Sequence, residues 1–325
     1  MTTVTLARHA MATRFELVLH GEEPAALRAA GEEALDEVDR LEAQLSLFRS
    51  SSEIAHLNAR AALGPVRVTP GLFALLEHAK KLHGETFGAF DITVAPLVRC
   101  WGFMHGTGRV PKPEELESAR TKVGMDLVEL ERTDFTVRFA REGVMLDLGA
   151  IGKGYAVERA ADLLREAGVT SALLHGGTST VYALGAPPDG QSWQVAVESP
   201  KVAMESVSRP SGSSEPAPTD PLTTVALRDE AMSVSAVWGK CFEAQGRAYG
   251  HVLDPRSGRP VSGAVLAAVV LPSATETDAL STALLTLGLD GHDEIARLRR
   301  GMRTLVVADH DGELELRSSG IDIPA

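Results

Sequence analysis

The sequence predicts an α+β fold, with helices and strands in mixed order. Three observations point there. From Glu22 to Phe48 apolar residues recur at helical spacing, with Leu35, Val38, Leu41 and Leu45 on one side. Trp193 to Val197, Thr223 to Leu227, Val265 to Leu271 and Arg303 to Ala308 read as strands. Strand and helix do not alternate strictly along the chain, which favours α+β over a doubly wound sheet.

Local signals place further elements. Thr69-Pro70 has the N-cap and first-turn residues of a helix that Gly84 is expected to close. Tyr155 to Ala167 carries apolar residues every three or four positions, and Gly168 stands where a helix C′ glycine belongs. Ser171 to Leu174 and Thr180 to Leu184 read as strands flanking the turn Gly176-Gly177. Between Pro200 and Leu222 the composition shifts to Ser, Pro, Gly, Ala and Glu, which cannot bury enough apolar surface to offset the entropy of ordering. Residues 200–222 are therefore expected to be a flexible insertion. No internal repeat is present.

Composition narrows the function classes. The chain has 325 residues, 44% of them hydrophobic, enough for a sizeable core. Its net charge is −12 with scattered basic residues, which argues against nucleic acid or an anionic membrane as main partner. A nucleotide-sized ligand needs only a local positive site. Cys100 and Cys241 are far apart and lie in no metal-binding or disulfide spacing. No apolar run is long enough for a membrane span, and Met1 to Phe15 lacks a signal-peptide core, so a cytoplasmic or processed form is expected.

Leu146 to Gly154 is the most informative stretch. A short apolar run passes through small residues into Lys153 at the mouth of a helix, where N–H groups and an ammonium can approach an anion. Neither G-x-G-x-x-G nor the P-loop signature occurs, and such a stretch alone more often marks a tight strand-to-helix turn than a phosphate site. Asp278 and Thr282 are spaced i, i+4 on a helix whose start is signalled by Thr275 and Thr277. A carboxylate and a hydroxyl there suit a hard cation, although taken alone Asp278 is more simply read as complementing the helix dipole, with Thr282 packing. His251 precedes the turn signalled by Asp254-Pro255 and Ser257-Gly258, as a surface residue or a near-neutral base. Asp91 could cap the segment after it, and Asn58 is given no role in a site.

Taken in order, Met11-Ala12-Thr13, Leu45 to Phe48, Ser52 to Asn58, Gly88 to Leu97, Trp101-Gly102-Phe103, Leu146 to Gly154, Gly250 to Pro260 and Thr275 to Gly288 resemble the FAD:protein FMN transferases of the ApbE type. The resemblance runs from about residue 10 to about residue 310. It resumes at Ala231 after the insertion, which implies one FMN-transferase domain over residues 1–325, two-lobed, with FAD and metal between the lobes. It also implies Mg²⁺-dependent transfer of FMN from FAD to a Thr or Ser of an acceptor protein, releasing AMP. By the same resemblance, Met11, Phe48, Ala89, Phe90, Asp91, Asp147, Lys153 and Val252 hold FAD. Ala150, through its carbonyl, joins Asp278 and Thr282 on the metal, and His251 is the catalytic base. Phe48 replaces a frequent tyrosine of the family. Gly176-Gly177-Thr178 and Val234-Ser235-Ala236 replace the family's Gly-Gly-Asp and Thr-Ser-Gly, losing an acid and a hydroxyl. Those departures keep two alternatives in view, a metal-dependent FAD pyrophosphatase and a catalytically silent flavin-binding protein.

Overall fold

The computed structural model describes residues 1–104, 106, 108–200, 221–239, 241–244, 246–310 and 312–323. Nearly all of the insertion expected at 200–222 lies outside the described residues. The helices, in chain order, are α1 (Pro24–Leu45), α2 (Glu53–Arg60), α3 (Pro70–Glu85), α4 (Ala95–Cys100), α5 (Pro113–Arg120), α6 (Gly152–Glu166), α7 (Ala274–Leu287) and α8 (His292–Ala296). None of those described is long and apolar enough to cross a membrane. The chain divides into two compact units, one formed by Met1–Asp39, Lys153–Gly239 and Gly263–Ala325, the other by Arg40–Gly152 and Lys240–Ser262.

The first unit is built on an eight-stranded antiparallel sheet whose strands lie side by side in chain order. They are β1 (Thr2–Ala10), β2 (Thr13–Gly21), β3 (Ser171–Gly176), β4 (Thr180–Gly185), β5 (Glu230–Ala236), β6 (Leu266–Leu271), β7 (Arg303–His310) and β8 (Glu313–Ser319). Every residue of β6 is buried. On one face Ala268 and Val270 join a core with Val181, Leu305 and Val307, covered by an antiparallel pair of strands, Trp193–Val197 and Thr223–Leu227. Against the sheet lies α7, whose Ala279, Leu280, Ala283 and Leu284 are fully buried. An apolar run buried on both faces is what such sandwiching requires.

The second unit holds α2 to α5 and a small antiparallel sheet of Val66–Arg67, Thr136–Phe139 and Val128–Glu131. Two short hairpins complete it, Cys241–Ala244 with Arg247–Gly250 and Leu253–Asp254 with Arg259–Pro260. Leu97, Cys100, Trp101, Phe103 and Leu253 share a core, and the Trp101 indole N–H donates to the Gly258 carbonyl at 2.8 Å. That bond ties the second hairpin's turn to the interior.

Two helix ends differ from expectation. The first helix stops at Leu45, where the Ser46 hydroxyl accepts from the Phe48 and Arg49 N–H groups and turns the chain. Gly84 does not close α3, because the following Glu85 is still helical and the left-handed residues that reverse the chain are Phe87 and Gly88. The N-terminus of α3 is as expected, with Thr69 accepting from the Leu72 N–H and Pro70 opening the helix.

Candidate functional site

In the first unit, α6 and α7 cap one another. The Asp278 carboxylate accepts from the Gly154 N–H at 2.9 Å, and Gly154 belongs to the first turn of α6, where N–H groups lack helical partners. In return, Glu158 of α6 accepts from the Ser273 hydroxyl at 2.8 Å and the Thr275 N–H at 2.7 Å, at the start of α7. Gly154 is a requirement of this approach, since a Cβ there would lie 2.2 Å from the Ala274 carbonyl oxygen. The Gly154 N–H that an added anion could have used is therefore already taken by Asp278.

The start of α7 also differs from the signals read at Thr275 and Thr277. Ser273 is the cap, accepting from the Glu276 N–H, so Asp278 lies beyond the first turn of its own helix. Its charge serves the N-terminus of α6 instead. Thr277 is buried and hydrogen-bonded to Ser233, which is bonded in turn to Thr180.

Asp278 is 4% exposed, and among the described residues Gly154 is its one side-chain partner. One carboxylate oxygen is thus left over. One turn on, the Thr282 hydroxyl donates to the Asp278 carbonyl and lies 3.2 Å from Ser235 Oγ, with a lone pair to spare. A carboxylate oxygen and a hydroxyl oxygen on one helix face fit a hard divalent cation, which favours few charged ligands and keeps other positions for water or phosphate. Among the described residues no three His, Cys, Asp or Glu side chains gather as a metal cluster, and this donor set does not need them to.

Met11 and Ala12 form the two-residue turn between β1 and β2, both with left-handed φ (50° and 59°). Such turns normally take Asn or Gly, so this one holds strain. Beside it Gly177 is left-handed with the Thr13 hydroxyl where its Cβ would be, at 2.2 Å. Thr178 is exposed, Val234 packs against the core, and Ala236 ends β5. Lys153 stands in the first turn of α6.

The second unit holds the remaining candidates. Asp147 is half-buried and accepts from the Gly149 N–H at 2.8 Å, bending the chain toward Ala150. Asn58 fixes this segment, donating to the Leu146 carbonyl at 3.0 Å and accepting from the Leu146 N–H at 2.8 Å. Asn58 thus has a positioning role that its sequence context did not reveal. Phe48 is 63% exposed.

Ala89 and Phe90 are buried, and their N–H groups donate to the Thr86 carbonyl and hydroxyl. Asp91 turns inward: Oδ1 accepts from the Thr93 N–H at 2.7 Å and the Thr93 hydroxyl at 2.6 Å, and Oδ2 lies 3.2 Å from His83 Nδ1. Burial pulls the His83 pKa down, but the Asp91 hydrogen bond and charge, with the Phe90 carbonyl and Asp126, outweigh it and raise the value. His251 is half-buried at the end of a strand, and the Val252 carbonyl accepts from the Val261 N–H at 3.0 Å across the hairpin. The turn follows as expected, with Asp254 Oδ1 accepting from the Arg256 N–H.

The arrangement joins Asp278 and Thr282 with Ser235 in one unit, and Asp91 with His83 and Thr93 in the other. Residues 11–306 match the ApbE family model. The chain belongs to the ApbE family. It is 30% identical over 290 residues to the FAD:protein FMN transferase of Vibrio cholerae, covering 87% of this chain and 82% of that one. Against the Treponema pallidum FAD:protein FMN transferase it is 30% identical over 304 residues, covering 89% and 80%. Among solved structures, the ApbE protein of Thermotoga maritima superposes with a TM-score of 0.83 at 27% identity, covering 97% of this chain and 96% of that one. The family's α+β architecture is accordingly the architecture of this chain.

Proposed function

We propose that this chain transfers FMN from FAD to a Thr or Ser hydroxyl of an acceptor protein and releases AMP. What carries the reading is the left-over Asp278 oxygen beside the Thr282 hydroxyl, in a chain whose relatives over most of its length are FAD:protein FMN transferases. In the reaction the acceptor oxygen forms a bond to the FMN phosphorus, the phosphorus–oxygen bond to AMP breaks, and the acceptor proton passes to a base. The imidazole of His251 is that base, since its ordinary pKa lies near neutrality. Asp278, Thr282 and the Ala150 carbonyl would hold Mg²⁺, which when bound neutralises charge on the pyrophosphate. Lys153 holds the FAD pyrophosphate as a cation at the start of α6, and Phe48 offers its exposed ring to the flavin or adenine. Met11, Ala89, Phe90, Asp91, Asp147 and Val252 complete the FAD site in this reading, with Asp91 acting through the shape of its segment because its carboxylate faces inward.

The test is to incubate the protein with FAD, Mg²⁺ and a Thr-containing acceptor peptide, then analyse by mass spectrometry. A peptide heavier by FMN, with one AMP released per modification, is expected. AMP without modified peptide would replace the reading with FAD hydrolysis, and FAD that remains bound and unchanged would replace it with flavin storage.

A further inference from the structure

The second unit has an open cleft of about 430 Å³ bordered by His83, Phe87, Gly88, Gly124, Arg120 and Arg256. Its wall contains an imidazole whose geometry is over-determined. His83 Nδ1 faces two acceptors, Asp91 Oδ2 at 3.2 Å and the Phe90 carbonyl at 3.2 Å, so Nδ1 carries a proton in both charge states of the ring. Nε2 is then the nitrogen that titrates. Among the described residues it has no hydrogen-bond partner, and the side chain is 25% exposed while that of Asp91 is 2% exposed.

Asp91 cannot swing away from the ring. Its other oxygen is held by the Thr93 N–H and hydroxyl, and Thr93 Oγ1 accepts from the Gly124 N–H at 2.7 Å. A carboxylate locked behind an imidazole fixes its tautomer and orientation and stabilises the imidazolium. Gly88 leaves the ring accessible: its Cβ position lies 3.8 Å from both His83 Nε2 and Arg256 Cγ, so any side chain there would stand against both. Phe87 next to it is 68% exposed and keeps a left-handed φ of 53°, a backbone conformation that non-glycine residues disfavour.

The other charges around the cleft are accounted for. Arg256 is held by Asp254, and Arg120 donates to Glu117 and to the Arg256 carbonyl. A guanidinium has five N–H donors, so each arginine has more than those bonds use. Of the carboxylates near His83, Asp91 faces inward, Asp126 acts on the ring through space, and Glu117 is solvated and paired. An imidazolium N–H and two guanidinium groups around an open floor suit a tetrahedral oxyanion.

We propose that this cleft binds the phosphate of a phosphomonoester or free phosphate, with the protonated His83 donating from Nε2 and Arg120 and Arg256 supplying the remaining donors. The proposal stands apart from the flavin-transfer reading, because its test involves no FAD and no turnover.

The test uses the full chain, with the His83 ring followed by NMR and binding followed by calorimetry. Sulfate, whose charge is constant over this range, is the probe for pH dependence; inorganic phosphate, AMP and adenosine are the probes for source. The His83 ring pKa is expected to rise on saturation with sulfate, and sulfate is expected to bind more tightly at pH 6 than at pH 8.5. His83→Gln should remove that pH dependence and weaken binding about ten- to hundredfold, the range for a lost charged hydrogen bond. Arg256→Gln, at an exposed turn, should weaken binding at both pH values and serves if His83→Gln fails to fold. AMP binding that Arg256→Gln weakens and that is tighter than phosphate, with adenosine not binding, assigns the cleft to a nucleotide monophosphate; AMP binding that Arg256→Gln leaves unchanged belongs to the FAD site, and sulfate and phosphate binding weakened by that variant then assigns the cleft to free phosphate. A His83 ring pKa unmoved by sulfate, with Arg256→Gln binding like the wild type, overturns the proposal.

Discussion

The Gly154 N–H donates to the Asp278 carboxylate at 2.9 Å, across 124 residues of sequence, and this one bond both caps α6 and orients the residue that would bind the metal. Glu158 returns the contact by capping α7 through Ser273 and Thr275. The two helices therefore fix each other's N-termini, and the Asp278 oxygen left over points where that mutual geometry sends it. Fold and proposed metal site share the same carboxylate.

Gly154→Ala tests how tightly the helices meet. The added Cβ would lie 2.2 Å from the Ala274 carbonyl oxygen and 2.6 Å from Asp278 Cβ, and a backbone carbonyl cannot step aside as a flexible side chain can. Overpacking of this kind costs about 1–3 kcal/mol. A fall of several degrees in Tm is expected from thermal denaturation, and an unchanged Tm would mean that α6 and α7 slide apart freely.

Asp278→Asn separates capping from metal binding. The amide oxygen can still accept from Gly154, so Tm without metal should change little. The full negative charge is gone, which weakens any hard divalent ion. Calorimetric Mg²⁺ affinity in the presence of FAD should drop, and flavin transfer should fall roughly 10²-fold or more, with partial recovery at raised Mg²⁺. Wild-type metal affinity in the variant would leave Asp278 with the capping role alone.

His251→Asn keeps a hydrogen-bonding side chain but cannot accept a proton at neutral pH. Loss of a base typically costs ~10²–10⁴ in rate. FAD affinity should stay near wild type while transfer falls by that order and the rising acidic limb of the pH profile disappears. Transfer within a few-fold of wild type would assign proton removal to another group.

What the sequence reveals and what it hides follow from the range of the interactions. The strands Trp193–Val197 and Thr223–Leu227, the Thr69-Pro70 helix start and the left-handed Gly168 are legible because their signals are local. The β1–β2 hairpin is not, since its turn uses Met11-Ala12 in place of the Asn or Gly that marks such turns. The capping role of Asp278 is invisible because its partner is distant in sequence. His83 is hidden for a related reason: nothing beside it in the helix marks the contact that forms when the chain brings Asp91 against it.

Gly84→Ala should stabilise the protein. Gly84 is helical, one residue short of the end of α3, and a Cβ there meets nothing within 4 Å. Glycine in a helix interior costs about 0.5–1 kcal/mol relative to alanine. A rise in unfolding free energy of that size, read from a higher urea midpoint at unchanged slope, is expected, and a fall would show that Gly84 does act as a terminator.

The His83–Asp91 pair makes stability depend on pH in a defined direction. The folded His83 pKa is raised, burial opposing and the Asp91 carboxylate prevailing, so the folded state binds its proton more tightly than the unfolded chain does. Below the unfolded value of about 6.5 the contribution is fully present, and it is lost as pH rises through the folded value. His175 acts in the opposite sense, because burial lowers its pKa, and the stability it supports is lost as pH falls below its unfolded value. The raw pH profile mixes these two with His20, whose pKa burial also lowers, so the measurement must be a difference. Urea midpoints of wild type and His83→Gln compared from pH 5.5 to 8.5 should be furthest apart at the acidic end, with wild type more stable, and should converge toward the alkaline end. His175 is common to both proteins and cancels. A difference that is flat with pH would mean that His83 contributes packing only, and one that widens toward alkaline pH would mean that the imidazole is held neutral against Asp91.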